Sequence, residues 1–527
     1  MVPSDTANKK KKGFFERALD KVEIIGNKLP QPVTLFAILM VVVLLLSFIF
    51  GGVTVEHPGK DAGLLDPEGE PVETISVINL LSREGVQRIL TEMVDTFATF
   101  PPLGLVLVVM LGIGVAEHSG MIAVALRLFV SKVPKSLITF SIVVAGMISS
   151  VAADAGYVVL IPLGAVIFLS MGRHPLAGIA AAFAGVSGGF GANFLPTGLD
   201  PMIAAFTEPA AQIIDPDYTV NPLSNYYLMA ASVPFVGLAG TWITERILVP
   251  RLGSYKPEGE VVLEETNEIS VRERKALKWS MFSILVVLGL VALATIPADG
   301  ILRGEFDPEL GKRTMRPFYD SIVPIMFIVF FVGGLVYGIA AKTIKSDKDV
   351  SDMTAKAMAT MGLYIVIAFV AAQFVAYFNW SNLGSVLAVK GSDGLKAIGF
   401  TGGPLLVAFI IVASLVNLVM GSASAKWAIL APIFVPMLML MGYSPELTQA
   451  AYRIGDSYSN ILTPLLPYFP IVIVFAQKYV KNVGIGTLIS MMLPYALAFM
   501  IIRIPMLLIW IWLGLPLGIE GPIYYSP

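Results

Sequence analysis

One stretch of this chain occurs twice. Residues 152–187 laid over residues 422–457 at a constant offset of 270, without a gap, agree at 11 of 36 positions. The agreements include Ala153/Ala423, Ala155/Ala425, Pro162/Pro432, Met171/Met441, Gly172/Gly442, Pro175/Pro445, Gly185/Gly455 and Ser187/Ser457. Just downstream, after a slip of three residues, Asn193-Phe-Leu-Pro-Thr faces Asn460-Ile-Leu-Thr-Pro. A soluble repeat protein would need shorter periods and more copies. Two distant copies of a hydrophobic module, each broken by Gly, Pro and polar residues, are the pattern of a secondary transporter, whose substrate sits where the copies meet near the bilayer midplane.

Composition agrees with that reading. Hydrophobic residues make up 56% of the chain, charged residues 14%, and the mean hydropathy is +0.78, far above a soluble protein. The fold class expected is therefore an all-α polytopic membrane protein. A net charge of −2 offers no field for nucleic acid, and the absence of Cys excludes disulfides and thiolate metal sites. Lys9–Lys12 are separated from the first apolar run by the mixed segment Gly13–Gln31, which is unlike a cleaved signal peptide.

Apolar runs predict nine transmembrane helices: Val33–Val53, Pro101–Ala116, Pro175–Phe206, Tyr226–Thr244, Trp279–Pro297, Ser321–Ala341, Ala357–Phe378, Leu447–Gln477 and Val483–Leu513. Two further stretches, Leu137–Met171 and Pro404–Met441, are apolar at both ends and polar in the middle, at Ser149–Asp154 and Gly421–Lys426. Each arm offers roughly 25 Å of helix, short for a full crossing, so both read as re-entrant hairpins with tips enclosed by protein or a watery cavity. Lys and Arg concentrate at Lys9–Lys12, Lys132/Lys135, Arg173, Arg246–Lys278, Lys342–Lys348 and Lys478/Lys481, all on one side of this layout, which places the N-terminus in the cytoplasm; Arg303–Arg316 fits least well. The hairpins then enter from opposite sides, an inverted repeat made of residues 137–206 and 404–477, with the remaining helices as scaffold.

Breaks and charges inside these segments mark the site. Gly188–Gly198 is glycine-rich and contains Pro196, and Ser457–Pro464 is its counterpart, so each copy should hold a broken helix whose N-terminal dipole suits an anion. Ordinary proline kinks are the plainer alternative. Arg453 and Asp456 lie three apart on one helix face and can pair, where the first copy has Phe183 and Val186. Charges at such depth are functional candidates, with a structural ion pair or a snorkelling Arg453 as the alternative. Asp200 follows the first break and reads either as a site carboxylate or as an exposed cap. Asp154 and Lys426 at the tips read as gating charges or wetted apices, and isolated Arg503 as an interhelical or snorkelling residue. Asn417, Asn460 and Asp456 supply hard oxygens that suit Na+, although amide bonds to neighbouring helices would explain the asparagines equally. Asn193 holds the position in the first break that Asn460 holds in the second. Trp427, opposite Tyr157 in the repeat, can stack on an aromatic substrate or pack on the other arm of its hairpin.

Five runs carry a family resemblance: Gly112-Ile-Gly-Val-Ala-Glu-His-Ser-Gly120, Gly191-Ala-Asn-Phe-Leu-Pro-Thr-Gly-Leu-Asp200, Gln373-Phe-Val-Ala-Tyr-Phe-Asn-Trp-Ser-Asn382, Ser422-Ala-Ser-Ala-Lys-Trp427 and Tyr452-Arg-Ile-Gly-Asp456. Through them the chain resembles the AbgT family of transporters, over all but the loops Thr54–Glu92 and Tyr255–Lys278. The resemblance implies a homodimer of nine-helix, two-hairpin protomers in the bacterial inner membrane. It also implies import of p-aminobenzoyl-glutamate or proton-driven export of sulfonamide antimetabolites. Carried over by motif, it assigns function to Asp200, Asn417, Ser424, Trp427, Pro445, Arg453, Asp456 and Pro464; Pro445 by itself reads only as a helix-start residue.

The expected mechanism places Arg453 and the half-helix N-termini on the anionic group of a small aromatic substrate and Trp427 on its ring, with Asp456 or Asp200 exchanging a proton. No cofactor is expected beyond H+ or Na+ as coupling ion. A Na+-coupled importer of a dicarboxylate is the rival on the same scaffold. An enzyme is disfavoured: Gly185-Val-Ser-Gly-Gly189 matches GxSxG, but inside an apolar helix and without a histidine base for Ser187. A primary pump is disfavoured by the lack of a GxxxxGK[ST] phosphate loop.

Overall fold

The computed structural model describes residues 32–56, 74–131, 134–151, 156–255, 269–307, 312–466 and 468–526. The basic run Lys9–Lys12 and the first tip residue Asp154 lie outside them. The long helices, in chain order, are α1 (Pro32–Ile49), α2 (Arg83–Ala98), α3 (Pro101–His118), α4 (Met121–Ser131), α5 (Ile138–Ser149), α6 (Ile161–Ser170), α7 (Pro175–Phe183), α8 (Leu199–Ala211) and α9 (Tyr226–Ile243). They continue as α10 (Val271–Thr295), α11 (Ile322–Ala341), α12 (Asp347–Thr360), α13 (Gly362–Trp380), α14 (Leu383–Ala397), α15 (Gly402–Val419), α16 (Ala423–Met439), α17 (Pro445–Ser459), α18 (Phe469–Gln477) and α19 (Ile485–Trp512). Two small antiparallel ribbons, β1 (Thr54–Glu56) with β2 (Thr74–Ser76) and β3 (Phe306–Asp307) with β4 (Lys312–Arg313), decorate loops.

Among the described residues, seven helices are long and apolar enough to cross a membrane: Arg83–His118, Tyr226–Leu252, Val271–Thr295, Ile322–Ala341, Gly362–Trp380, Gly402–Val419 and Ile485–Trp512. The expected span Val33–Val53 forms a helix, but it ends at Ile49, just before the positive-φ turn at Gly52. The expected spans Pro175–Phe206 and Leu447–Gln477 are each two shorter helices with a break. Gly402–Val419, the first arm of the second expected hairpin, is a continuous 18-residue apolar helix, at the upper end of the expected arm length and also long enough to count among the seven. The amphipathic helices α2 and α4 were not anticipated from the apolar runs.

α3, α10, α11 and α12 pack side by side, and α3 also touches α8. α10 shows an exposed apolar face of Trp279, Phe282, Leu285, Leu290 and Leu293, which water does not tolerate at this extent and lipid does. α8 packs on α16, α15 on α17, and α17 on α16, α8 and α19, so α17 is enclosed on every side. Every residue from Pro445 to Ser459 is buried, although the helix carries Glu446, Thr448, Gln449, Arg453 and Asp456. A polar helix buried on all faces has to satisfy its polar groups from its neighbours.

Glycines set two of the closest approaches. A Cβ on Gly178 of α7 would lie 2.1 Å from the Gly164 carbonyl oxygen of α6, and one on Gly164 would lie 2.6 Å from the Gly178 oxygen. A Cβ on Gly185 would lie 2.3 Å from Val143 O of α5, and one on Gly146 would meet Val186 N at 2.7 Å. Helix backbones in direct contact are the membrane form of tight packing, and only small residues allow it.

Candidate functional site

α17 is where the sequence places its deepest charges, and the local signals explain its start. Pro445 occupies the first helical turn, where its missing N–H costs nothing, and Ser444 caps the helix by accepting from Leu447 N at 3.0 Å. Gln449, Arg453, Asp456 and Asn460 then follow at spacings of four, three and four, a single helix face.

Arg453 and Asp456 do not pair with each other, contrary to the i, i+3 expectation. Arg453 Nη2 donates to Asp200 Oδ1 at 2.6 Å, and the Lys426 ammonium pairs with Asp456 Oδ1. The physical reason is that α17 lies between α8 and α16, so each charge finds a partner on a different neighbour. Asp200 is 2% exposed, which excludes the reading as an exposed cap. Its other oxygen, Oδ2, accepts from Thr197 N at 2.6 Å and Thr197 Oγ1 at 3.0 Å, so the carboxylate sits at the N-terminal turn of α8 where the helix dipole favours it. The anion at this half-helix start is a side chain of the protein.

Of the two readings of Lys426, gating charge or wetted apex, the wetted one is excluded, because the residue is fully buried in α16. Besides Asp456 it donates to Asn417 Oδ1 of α15. Asn417 Nδ2 in turn approaches Asp456 O at 2.8 Å, Ser459 Oγ at 2.7 Å and Asn460 Oδ1 at 2.9 Å, and Asn460 Nδ2 lies 3.4 Å from Asp456 Oδ2. The oxygens of Asn417 and Asp456 named as candidate Na+ ligands are therefore bridged by the protein's own ammonium.

Trp427 packs within the protein. Its ring stacks on Tyr452 with centroids 4.5 Å apart, and Nε1 donates to Thr207 Oγ1 at 2.8 Å and points to Ile203 O at 3.2 Å. The repeat-related Tyr157 stacks on Tyr468 at 4.2 Å. Thr207 Oγ1 lies 2.7 Å from Gln449 Oε1, Gln449 Nε2 donates to Asn225 Oδ1 at 2.9 Å, and Asn225 Nδ2 donates to Glu446 O at 2.9 Å. Sequence reasoning missed Thr207, Gln449 and Asn225; the four-three-four stripe on α17 was the available signal for Gln449.

The other candidates have local positions. Asn193 locks the first break to α5 by donating to Met147 O at 2.9 Å while its Oδ1 accepts from Leu195 N at 3.0 Å. Ser424 is half-buried, 3.3 Å from Ser422 Oγ, at the joint between α15 and α16. Pro464 follows a short 3-10 turn, Asn460–Leu462, so the second break starts at Thr463, several residues later than expected, and α18 begins at Phe469. Arg503 of α19 donates to Gly191 O at 2.7 Å, an interhelical contact with the first break. Ser187 lies in a buried π-turn, Ala184–Gly188, away from any strand-to-helix elbow. A separate cavity of about 240 Å³ is lined by Glu208, Asn221, Tyr319, Asp320 and Glu520.

Comparison with known proteins matches this architecture. The profile of the AbgT putative transporter family covers residues 17–525, running through both loops that the sequence motifs left outside. The p-aminobenzoyl-glutamate transport protein of Escherichia coli (strain K12) is 37% identical over 519 residues, 98% of this chain and 97% of that one. The crystal structure of the YdaH transporter of Alcanivorax borkumensis, described as having an unusual topology, superposes with a TM-score of 0.85 at 41% identity, covering 93% of this chain and 100% of that one. MtrF of Neisseria gonorrhoeae, described as illuminating a class of antimetabolite efflux pumps, gives a TM-score of 0.89 at 46% identity, with 97% and 100% covered. A multi-span helical chain with this coverage and these relatives belongs to the AbgT family of transporters.

Proposed function

We propose that this protein is a secondary active transporter of small aromatic anions. Its activity is proton-driven export of sulfonamide-type antimetabolites, transport of p-aminobenzoyl-glutamate, or both. The observation that carries the reading is α17, a fully buried polar helix whose two charges pair in opposite directions, Arg453 to Asp200 and Asp456 to Lys426. Buried pairs of this kind are costly to desolvate and weak as stabilisers, so their presence beside broken helices is better explained by transport than by folding.

In this mechanism Arg453 exchanges Asp200 for the substrate's anionic group. Asp456 is the proton carrier, since protonation releases it from Lys426 and lets α16 and α17 separate. Trp427 and Tyr452 are the apolar wall against the substrate ring. Residues 137–206 and 404–477 form the moving inverted repeat inside a nine-helix protomer with two hairpins, dimeric in the inner membrane with its N-terminus in the cytoplasm. Ser424 and Pro464 act as joints, and Pro445, Asn193 and Asn460 hold the helix starts and breaks. None of these residues is assigned catalytic chemistry.

Na+ coupling is the second reading, carried by the oxygens of Asn417 and Asp456; the ammonium on both oxygens favours H+. The test is flux of radiolabelled sulfamethazine and p-aminobenzoyl-glutamate in proteoliposomes under separate pH and Na+ gradients. Flux following the pH gradient alone is expected, and Asp456→Asn is expected to abolish it while protein remains in the membrane. Flux that requires Na+ would move the coupling ion to Asn417 and Asp456. Normal proton-driven flux in the variant would remove Asp456 from the cycle.

A further inference from the structure

Two buried guanidinium groups flank the first break, and both have unused donors. Arg453 and Arg503 are each 3% exposed. Asp200 takes Nη2 of Arg453, while its Nε and Nη1 have no hydrogen bond. Arg503 gives Nη2 to the Gly191 carbonyl, its Nη1 has no partner, and among the described residues no carboxylate pairs with it. The charges do not cancel either. Lys426, Arg453 and Arg503 face Asp200 and Asp456, three cations to two carboxylates. Glu446, the other buried carboxylate of α17, lies seven residues before Arg453, about 10 Å along the helix, and accepts from Tyr218. Among the described residues one positive charge is therefore left without a carboxylate in a water-poor setting, where an unpaired ion is unfavourable.

Gly191 brings the Arg503 head group against the backbone of α17 at Arg453. A Cβ there would lie 2.3 Å from Ser457 Oγ, 3.0 Å from Arg503 Nη1 and 3.1 Å from Arg453 O. The absent side chain lets the break, the α17 backbone and the Arg503 head group meet. Both guanidiniums present planar forks, the geometry that binds a carboxylate or another planar anion through two parallel N–H bonds.

We propose that Arg453 and Arg503 together form a receptor for one monoanionic group of the substrate, with Arg503 the residue that supplies the uncompensated charge. The inference deepens the transport reading above and rests on it. A single anionic group neutralises the cluster, and it uses the donors that the protein leaves open. Arg503 thereby sets the preference for anionic over neutral aromatic ligands.

The test is calorimetric binding to the purified full chain in detergent, with p-aminobenzoate, ionised sulfamethazine and uncharged p-aminobenzamide as probes. Wild type is expected to prefer at least one of the two anions over the amide by tenfold or more, and the two arms separate a carboxylate from a sulfonamide ligand. Arg503→Gln is expected to lose that preference, weakening anion binding tenfold or more and amide binding less than twofold. Retained preference in Arg503→Gln would overturn the receptor, as would equal loss for all probes. If Arg503→Gln does not fold, Arg503→Lys decides: it keeps the charge but not the fork, so undiminished preference overturns the two-pronged receptor and a reduced one supports it. Wild type that binds none of the probes would overturn both readings, whereas wild type that transports while Arg503→Gln keeps the preference would overturn only the receptor.

Discussion

The Lys426 ammonium has Asn417 Oδ1 and Asp456 Oδ1 as its partners and no contact with water. Removing one member of such a pair leaves a charge buried alone. Lys426→Met is therefore expected to lower the stability of the folded chain by roughly 3–5 kcal/mol. Lys426→Met with Asp456→Asn should cost clearly less than the two single changes added together, because neither variant side chain then strands an ion. Thermal melting of the four proteins in one detergent measures this, and strict additivity would mean the pair is not coupled. The charges at 453 and 456 were legible in the sequence because an ion in an apolar repeat stands out. Their partners were not, since neighbourhood along one helix says nothing of which neighbouring helix each side chain faces. The wetted-apex reading of Lys426 fails for a related reason: at the end of a polar tip, a lysine looks wet until the packing of α15 and α17 around it is known.

Helix breaks are only partly readable at the scale of elements. The first break was placed at Gly188–Gly198, and helical structure does stop at Gly188 and resume at Leu199. The second has no glycine run to end its helix, so α17 and its 3-10 turn persist to Leu462, and the chain straightens only at Thr463. Polar residues inside a buried helix mimic a break when they are bonded to neighbours. The glycine contacts between α6 and α7 give a test at this scale. Gly178→Ala forces a methyl against Gly164 O and should destabilise the protein by roughly 1–3 kcal/mol. Gly442→Ala, where nothing lies within 4 Å, should be limited to the strain of its positive φ of 86°. Equal melting for Gly178→Ala and wild type would show that the two helices can part at no cost.

For the molecule as a whole, distant segments converge on the cavity beside Glu208. This residue lies beyond the expected span Pro175–Phe206, and Asp320 and Glu520 line the same space. Burial pushes its carboxyl above the usual carboxylate range, with Asp320 adding to the shift and the hydrogen bond from Val220 N opposing it. A carboxyl whose folded-state pKa is raised contributes stability at low pH, and that contribution is lost as the pH rises through the folded value. Glu208 is expected to lower the melting temperature as the pH rises from acid toward neutral, so that wild type loses stability over this range relative to Glu208→Gln; identical pH profiles of the two proteins would exclude the contribution.

The strap formed by residues 517–525 joins other distant parts. Ser444 N and Oγ donate to Ile523 O at 3.0 Å and Pro522 O at 2.6 Å, Tyr525 N donates to Gly442 O at 3.0 Å, and Leu228 N donates to Leu517 O at 3.0 Å. The residue that caps α17 is thus itself held by chain that leaves the ribosome after α18 and α19. During biogenesis the most highly charged buried helix enters the bilayer before its own anchor has been made. Until then its charges depend on earlier neighbours, α8 with Asp200 and α16 with Lys426, which makes chain order part of how this helix is tolerated in the membrane.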